Sequence, residues 1–397
     1  MPNERFLPFA LPEIGEEEIA EVVDSLRSGW ITTGPKAKRF EEEFASYIGV
    51  RHALAVNSAT AGLHLALDAI GLERGDKVIT STYTFTATAE VIRYFDADPI
   101  FCDIDPRTFN LDPFKLETVI EAAVAQFGAR VKAVIPVHLA GQACEMDKIQ
   151  RLAQRFNLRV IEDAAHALPT TFHGKLIGTL SDLTVFSFYS TKTITTGEGG
   201  MIVTDNDAFA KRIKIMRLHG FNRDAWDRYN SLNANWYYEI VAPGYKYNMT
   251  DLAAAMGIHQ LAKVDRFYNK RRSIAEVYNK EFSTIPGIKI PYVIRPEDTH
   301  AWHLYMLSVP AGIRDQFYEE LKHLGISCSV HFIPLHLQPF WRGKYNLNPS
   351  DFPLATKAYQ GEISLPIYTR MTTDDVAWVV EGVRETAKRI LLTTPTN

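Results

Sequence analysis

The chain has almost no cysteine. Cys102, Cys144 and Cys328 are the only three in 397 residues. They stand far apart and are odd in number, which excludes a fully paired intrachain disulfide framework. No CxxC pair offers a metal site. A reduced, cytoplasmic protein with no metal is the expectation. An excess of charge of one sign is also missing: 47 acidic against 43 basic side chains leave a formal net charge of −4. That balance supplies no polyanion-binding surface of the kind nucleic acid needs, although a local basic pocket for a phosphate is compatible with it. No apolar run approaches the roughly 20 residues that span a bilayer, so no membrane insertion is expected. The opening stretch, MPNERFLPFALPEIGEEE, has no long apolar core and turns acidic quickly, unlike a secretion signal. Repeats and low-complexity tracts are absent.

What is present is the composition of a globular protein, 46% apolar and 23% charged, in a chain too long for one small domain. A helix is expected over 15–28, where Ile19, Val22, Val23 and Leu26 share one face and glutamates lie at the start. From residue 52 onward short apolar runs recur at 52–56, 77–81, 99–103, 131–137 and 159–162. Segments of helical length, such as 61–70, 113–127 and 146–156, lie between them. Alternation of this kind means βαβ units and a mostly parallel sheet covered on both faces. Apolar runs at 183–188 and 201–204 close the region. Residues 217–248 are rich in Asn, Tyr, Trp and Arg and lack a clean period. Helical pattern returns at 250–261 and 271–282. The last hundred residues read as a smaller α+β unit, with strands near 302–309 and 327–332 and helices at 312–324 and 373–391. The expected division is a large α/β domain over 1–255 and a small α+β domain over 256–397.

In open α/β sheets ligands bind at the carboxyl ends of the strands. Four segments come directly after such ends. Val160-Ile161-Glu162-Asp163-Ala164-Ala165-His166 delivers an acidic residue where a strand stops. It reads either as a helix cap or as a carboxylate that keeps a pyridinium nitrogen protonated. Phe186-Ser187-Phe188-Tyr189-Ser190-Thr191-Lys192, then Gly197-Glu198-Gly199-Gly200, places a lysine in a loop between two apolar strands. An exposed loop lysine is one reading. The other is an amine in a partly desolvated pocket, whose lowered pKa lets it trap a carbonyl. Ser187 sits where a hydroxyl can donate to a phosphate. Asn57-Ser58-Ala59-Thr60-Ala61-Gly62 has the small residues and hydroxyls of an anion site at a helix N-terminus, and also those of an ordinary cap. Tyr83-Thr84-Phe85-Thr86-Ala87-Thr88 brings an aromatic ring to a strand end, to stack on a flat ligand or to fill core. Together the four supply an anion cradle, a stacking ring, a carboxylate and a lysine, which is the equipment of a pyridoxal phosphate site.

The order IEDAAHA, FSF, Lys192, GEGG resembles the DegT/DnrJ/EryC1/StrS family of sugar aminotransferases. The resemblance runs from Gly29-Trp30-Ile31-Thr32-Thr33-Gly34-Pro35 to Ser364-Leu365-Pro366-Ile367-Tyr368. Three stretches, Ala225-Trp226-Asp227-Arg228, Ala242-Pro243-Gly244-Tyr245-Lys246-Tyr247-Asn248 and His300-Ala301-Trp302-His303-Leu304, are similar to the branch that makes UDP-4-amino-4-deoxy-L-arabinose for lipid A. The resemblance implies a type I, aspartate aminotransferase-like fold with pyridoxal 5′-phosphate as cofactor. It implies Lys192 as the Schiff-base lysine and proton shuttle, Asp163 at the pyridine nitrogen and His166 near the ring hydroxyl. Ser187, Ala59 and Thr60 would hold the phosphate and Phe85 would stack on the ring. It further implies a homodimer with shared active sites, in which residues 244–248, with Lys246 and Asn248, reach the partner's cofactor. The chain departs from the family there, because many members carry asparagine and arginine at those two positions. It also departs at Tyr189-Ser190-Thr191, where a His-Pro-type sequence is common. Thr32, Thr33 and Gly34 are candidates for the sugar. His331, in Ser329-Val330-His331-Phe332-Ile333-Pro334, is a candidate for the nucleotide diphosphate, with a structural histidine as the alternative.

The implied reaction moves an amino group from an amino acid, glutamate by resemblance, to a nucleotide-linked keto-sugar for polysaccharide or lipopolysaccharide biosynthesis. His166 is similar to members that aminate C4 of UDP- or dTDP-4-keto sugars, whereas members acting at C3 more often carry glutamine there. Related dehydratases replace the lysine with histidine, and Lys192 speaks against that reaction. A non-catalytic homologue would lack the cofactor's colour.

Overall fold

The computed structural model describes residues 5–222 and 237–391. The segment Ala225-Trp226-Asp227-Arg228 lies outside the described residues. A sheet of seven strands organises the first part: β1 (His52–Val56), β2 (Lys77–Ser81), β3 (Asp98–Cys102), β4 (Val131–Ile135), β5 (Arg159–Asp163), β8 (Leu183–Ser187) and β9 (Gly200–Thr204). Their order is β1-β9-β8-β5-β4-β2-β3. The pairs β2 with β3, β2 with β4, β4 with β5 and β5 with β8 are parallel, and β9 is antiparallel to both its neighbours. Every strand of this sheet except β9 therefore runs the same way. The carboxyl ends of β1, β2, β5 and β8 meet along one edge, where β9 begins. β6 (Thr171–Phe172) and β7 (Lys175–Leu176) form a small separate hairpin.

The strand centres are apolar and largely buried because helices cover both faces, with charged residues at strand ends such as Lys77, Asp98, Arg159 and Asp163. One face packs on Phe40, Phe44, Leu116, Ile120 and Ile149, and the other on Leu63, Leu65, Leu67, Val91 and Ile213. Helix starts obey capping chemistry. Ser58 Oγ accepts from Ala61 N–H at the start of α3 (Ala59–Ala69), Asp112 caps α5 (Pro113–Phe127), and Asn206 caps α7 (Asp207–Met216). The first helix, α1 (Glu16–Ser28), is fastened by a buried carboxylate. Glu18 accepts from Gln260 at 2.8 Å and from Lys263 at 2.7 Å.

A second core gathers Leu7, Ile274, Tyr278, Leu307, Phe317, Ile363 and Val379 around a two-stranded antiparallel sheet, β10 (Tyr305–Ser308) with β11 (Glu362–Leu365). The helix over Val264–Phe282 joins the two cores, with Phe267 in the first and Ile274 in the second. Arg271 on that helix is buried. Its guanidinium donates to Ile367 O at 2.7 Å and to the carbonyls of Trp302 and His303, which ties three segments of the second unit together.

The expected strand over 327–332 forms no ladder; a single bridge, Ser329 with Ser364, takes its place. Helices over Pro339–Tyr345 and Pro353–Gly361 were not expected, since each is short and proline-led.

Candidate active site

A cavity of about 500 Å³ opens where the carboxyl ends of the sheet meet the second unit. Its walls hold Ser58, Ala59, Thr60, Phe85, Asp163, His166, Ser187 and Lys192 from the first unit, with His303, His331 and Phe332 from the second. Eight of the residues singled out from sequence are thus brought together: Ala59, Thr60, Phe85, Asp163, His166, Ser187, Lys192 and His331.

Asp163 ends β5 at the cavity floor and is only 6% exposed. Thr88 Oγ1 donates to its Oδ2 at 2.7 Å, and Ala165 N–H donates to its Oδ1 at 3.1 Å. Burial raises its pKa, while those two donors and the nearby Lys192 charge oppose the rise. Lys192 stands in the loop after β8, its backbone N–H donating to Tyr189 O at 2.9 Å. Burial brings its amine down to about 8 against the pull of the Asp163 carboxylate. An ordinary lysine near 10.4 carries almost no free amine at neutral pH. One near 8 carries a useful fraction, which is what attack on an aldehyde requires.

His166 Nδ1 accepts from Ala140 N–H at 3.2 Å, and burial holds the ring neutral with its pKa well below the usual value. Its proton is therefore on Nε2, as a donor. Phe85 is 58% exposed and, among the described residues, its one aromatic neighbour is Phe332, 5.9 Å away, so its ring face is open to a flat ligand.

The anion end of the cavity is built from backbone. Ser58 satisfies Ala61 N–H, but the first helical N–H groups, of Ala59 and Thr60, have no acceptor within α3. Among the described residues Ser187 Oγ is engaged only as an acceptor, from Tyr189 N–H at 3.4 Å, which leaves its proton to give. β9 passes close beneath. A Cβ on Gly200 would lie 2.8 Å from Ala59 N and from Ser58 C. Backbone atoms in a strand and a helix start cannot step aside. Gly200→Ala is therefore expected to cost about 1–3 kcal/mol of stability and to weaken phosphate binding. Thermal melts with and without pyridoxal phosphate would check this.

A phosphate cradle, a hydroxyl donor, an open aromatic face, a buried carboxylate and a low-pKa amine fit pyridoxal phosphate in size and in charge. Thr88 and His303 were missed from sequence. Thr88 had a faint signal, for it stands four residues after Thr84, and the two hydroxyls meet at 2.8 Å. His303 stands in the stretch 300–304 that carries the branch resemblance, but no local spacing marks the chain turn that brings it 4.3 Å from His166.

Thr32, Thr33, Gly34, Lys246 and Asn248 do not line this cavity. They form a patch of their own. Lys246 Nζ donates to Asn248 Oδ1 at 2.7 Å, Asn248 Nδ2 to Thr33 Oγ1 at 2.5 Å, and Thr33 Oγ1 to Met249 O. Gly34 N–H donates to Asp251 Oδ1 at 2.7 Å, and Asp251 N–H to Thr32 O at 3.0 Å.

Residues 12–384 match the model of the DegT/DnrJ/EryC1/StrS aminotransferase family. An uncharacterized protein of Methanocaldococcus jannaschii is 52% identical over 389 residues, 97% of this chain and 98% of its own. The spore coat polysaccharide biosynthesis protein SpsC of Bacillus subtilis is 48% identical over 388 residues, 96% of this chain and 97% of its own. Among solved structures, a protein assigned as a sugar aminotransferase, Spr1654 of Streptococcus pneumoniae, is 32% identical in its PMP-form. It covers 98% of this chain and 99% of its own, with a TM-score of 0.89. Its PLP-form gives a TM-score of 0.88. Among the described residues, no helix is long and apolar enough to cross a membrane and no cluster of potential metal ligands occurs.

Proposed function

The chain belongs to the DegT/DnrJ/EryC1/StrS aminotransferase family and is a pyridoxal phosphate-dependent sugar aminotransferase of the type I fold; from that premise we propose that it carries an amino group from L-glutamate to C4 of a UDP- or dTDP-linked 4-keto sugar. The observation that carries the reading is the Lys192 amine, lowered to about 8 in a cavity floored by Asp163.

Bound pyridoxal phosphate supplies an aldehyde for an amine and a ring that accepts the electron pair released at the donor's Cα. The chain does the rest. Ala59 and Thr60 N–H groups with Ser187 would hold the phosphate, and Asp163 would hold a proton on the ring nitrogen. His166 Nε2–H would donate to the ring hydroxyl, and Phe85 would lie against the ring face. With the cofactor and donor amino acid bound, Lys192 Nζ would take the proton from that donor's Cα. In the second half it delivers one to the sugar carbon that becomes the amine carbon.

The space beside the cavity supports a nucleotide-linked substrate. A groove of about 860 Å³ adjoins the cavity and shares Thr84, Phe85 and Phe332 with it. It continues past Arg93, Tyr94, Phe340 and Trp341, more room than an amino acid or a bare sugar uses. The C4 assignment rests on His166. The name of SpsC supports a destination in cell-surface polysaccharide, and the arabinose branch similarity supports lipopolysaccharide as the specific case. Lys246, Asn248, Thr33 and their neighbours fit a homodimer in which each chain completes the other's cavity, since they hold polar groups together away from their own.

Glutamate with a panel of UDP-, GDP- and dTDP-4-keto sugars and one 3-keto sugar tests the proposal. Turnover of a UDP- or dTDP-4-keto sugar is the expected result. Turnover of only the 3-keto sugar would overturn the C4 assignment.

A further inference from the structure

His331 was read from sequence as a contact for substrate or as a structural histidine. Its surroundings give it a more definite role. The imidazole lines the cavity, stacked 5.4 Å from Phe9. Nδ1 faces away, toward Ser364 Oγ at 2.9 Å. Ser364 Oγ in turn lies 2.5 Å from Glu362 Oε1, and Glu362 Oε2 accepts His331 N–H at 2.8 Å. Glu362 and Ser364 are both fully buried on β11. Nε2 of His331 has no hydrogen-bond partner among the described residues and is left to the cavity.

The serine hydroxyl has one proton and two polar neighbours, so its direction sets the histidine. With a proton on Glu362, the carboxyl donates to Ser364, Ser364 donates to His331 Nδ1, and the ring proton stands on Nε2, a donor to the cavity. With Glu362 ionised, Ser364 donates to the carboxylate, His331 Nδ1–H donates to Ser364, and Nε2 is a bare acceptor. The two states differ by one proton. Passing from the first to the second, each of three protons moves one place along the chain, and the one on Nε2 leaves to a base in the cavity or to solvent.

We propose that Glu362 and Ser364 are positioning residues that act through His331, deciding whether the cavity receives a hydrogen-bond donor or an acceptor at Nε2. Burial sets which state holds at neutral pH. Glu362 is raised to about 8, burial outweighing its bonds to Ser364 and His331 and the charge of Arg314. Arg314 also donates to Glu362 O at 3.3 Å, while Cys328 and Tyr83 face the carboxyl as neutral groups. Around the imidazole stand Lys192, His166 and His303. Burial, aided by the Lys192 charge, holds His331 down to about 4, so the ring stays neutral and only its tautomer changes. At neutral pH the cavity is thus given a donor, suited to a substrate oxygen such as a keto, carboxylate or phosphate oxygen. This last step rests on the aminotransferase reading; the tautomer assignment does not.

The test is the long-range proton–nitrogen spectrum of protein labelled with ¹⁵N-histidine, with the His331 signals identified by their loss in His331→Gln. Wild type is expected to show the Nε2–H form at pH 7 and to pass to the Nδ1–H form as pH rises through about 8. Glu362→Gln mimics the protonated acid, since its amide can donate to Ser364 while its carbonyl accepts His331 N–H. It is expected to hold the Nε2–H form at every pH. Ser364→Ala cuts the chain and is expected to abolish the pH-dependent change, which keeps the test open if the glutamine variant misfolds. In turnover, loss of the donor is expected to lower kcat/KM for the sugar about tenfold, the size of one hydrogen bond. Because Lys192 titrates in the same range, the comparison is between wild type and Glu362→Gln at pH 9, where only wild type should show that loss. An Nδ1–H form in wild type at pH 7, or the same alkaline change in Glu362→Gln or Ser364→Ala, would overturn the proposal. An inactive enzyme with the expected spectra would indict the sugar assignment instead.

Discussion

Lys192→Ala is expected to fold, to bind pyridoxal phosphate weakly, and to lose amino transfer by about 10⁴-fold, the upper end of what a positioned proton carrier contributes. The magnitude reflects a double loss. In the proposed mechanism the variant lacks both the amine that would fix the aldehyde and the base that would move the donor's Cα proton. No neighbour replaces it. His166, His303 and His331 all line the cavity, but burial holds each imidazole below its usual pKa, and none can form the covalent bond to an aldehyde. Lys192→Arg separates charge from chemistry. A guanidinium keeps the positive charge opposite Asp163 but stays protonated and does not attack a carbonyl. The arginine variant is expected to be as inactive as the alanine variant. Single-turnover transfer from glutamate, monitored by cofactor absorbance, would show both.

Asp163→Asn is expected to retain the fold and slow the half-reaction with glutamate by about 10²–10³-fold, equivalent to roughly 3–4 kcal/mol. The carboxamide is nearly isosteric and still accepts from Thr88 Oγ1 or Ala165 N–H, the two donors that orient the native carboxylate. What it lacks is the negative charge that would keep the cofactor's ring nitrogen protonated and the ring an electron sink, the role proposed for Asp163. Thr88→Ala removes one orienting bond and leaves the charge, so a smaller loss, about tenfold, is expected. Equal losses in the two variants would mean that Asp163 acts through geometry alone. Stopped-flow measurement of the glutamate half-reaction distinguishes the cases.

These expectations could be framed from sequence because the informative residues sit at strand ends. The strands that lead to Ser58, Asp163 and Ser187 are each five residues long, with four of the five residues buried. A sheet whose strands run mostly one way must bring their terminal residues and the loops beyond them to one edge. Phe85 belongs to the same group, four residues beyond the end of β2. The second unit was less legible. His303 and the Glu362–Ser364–His331 chain depend on contacts between segments far apart in sequence, and nothing in local spacing marks a serine that bridges a glutamate to a histidine. Residues 327–332 alternate like a strand, yet only Ser329 bridges to Ser364, while the His331 side chain is turned to the Ser364 hydroxyl, and a ladder does not form. The family resemblance alone tied Lys246 and Asn248 to a partner's cavity, and nothing in local spacing joins them to Thr33, 215 residues away, whose hydroxyl accepts from Asn248.

The whole scheme requires that the amine at position 192 hold the aldehyde of the cofactor. Borohydride reduction of the pyridoxal phosphate-loaded protein, then proteolysis and mass mapping, tests it without any knowledge of the sugar. The expected result is a phosphopyridoxyl group on the peptide containing Lys192 and on no other lysine. Attachment at a different lysine such as Lys246, or no stable adduct in protein that has bound the cofactor, would contradict the account.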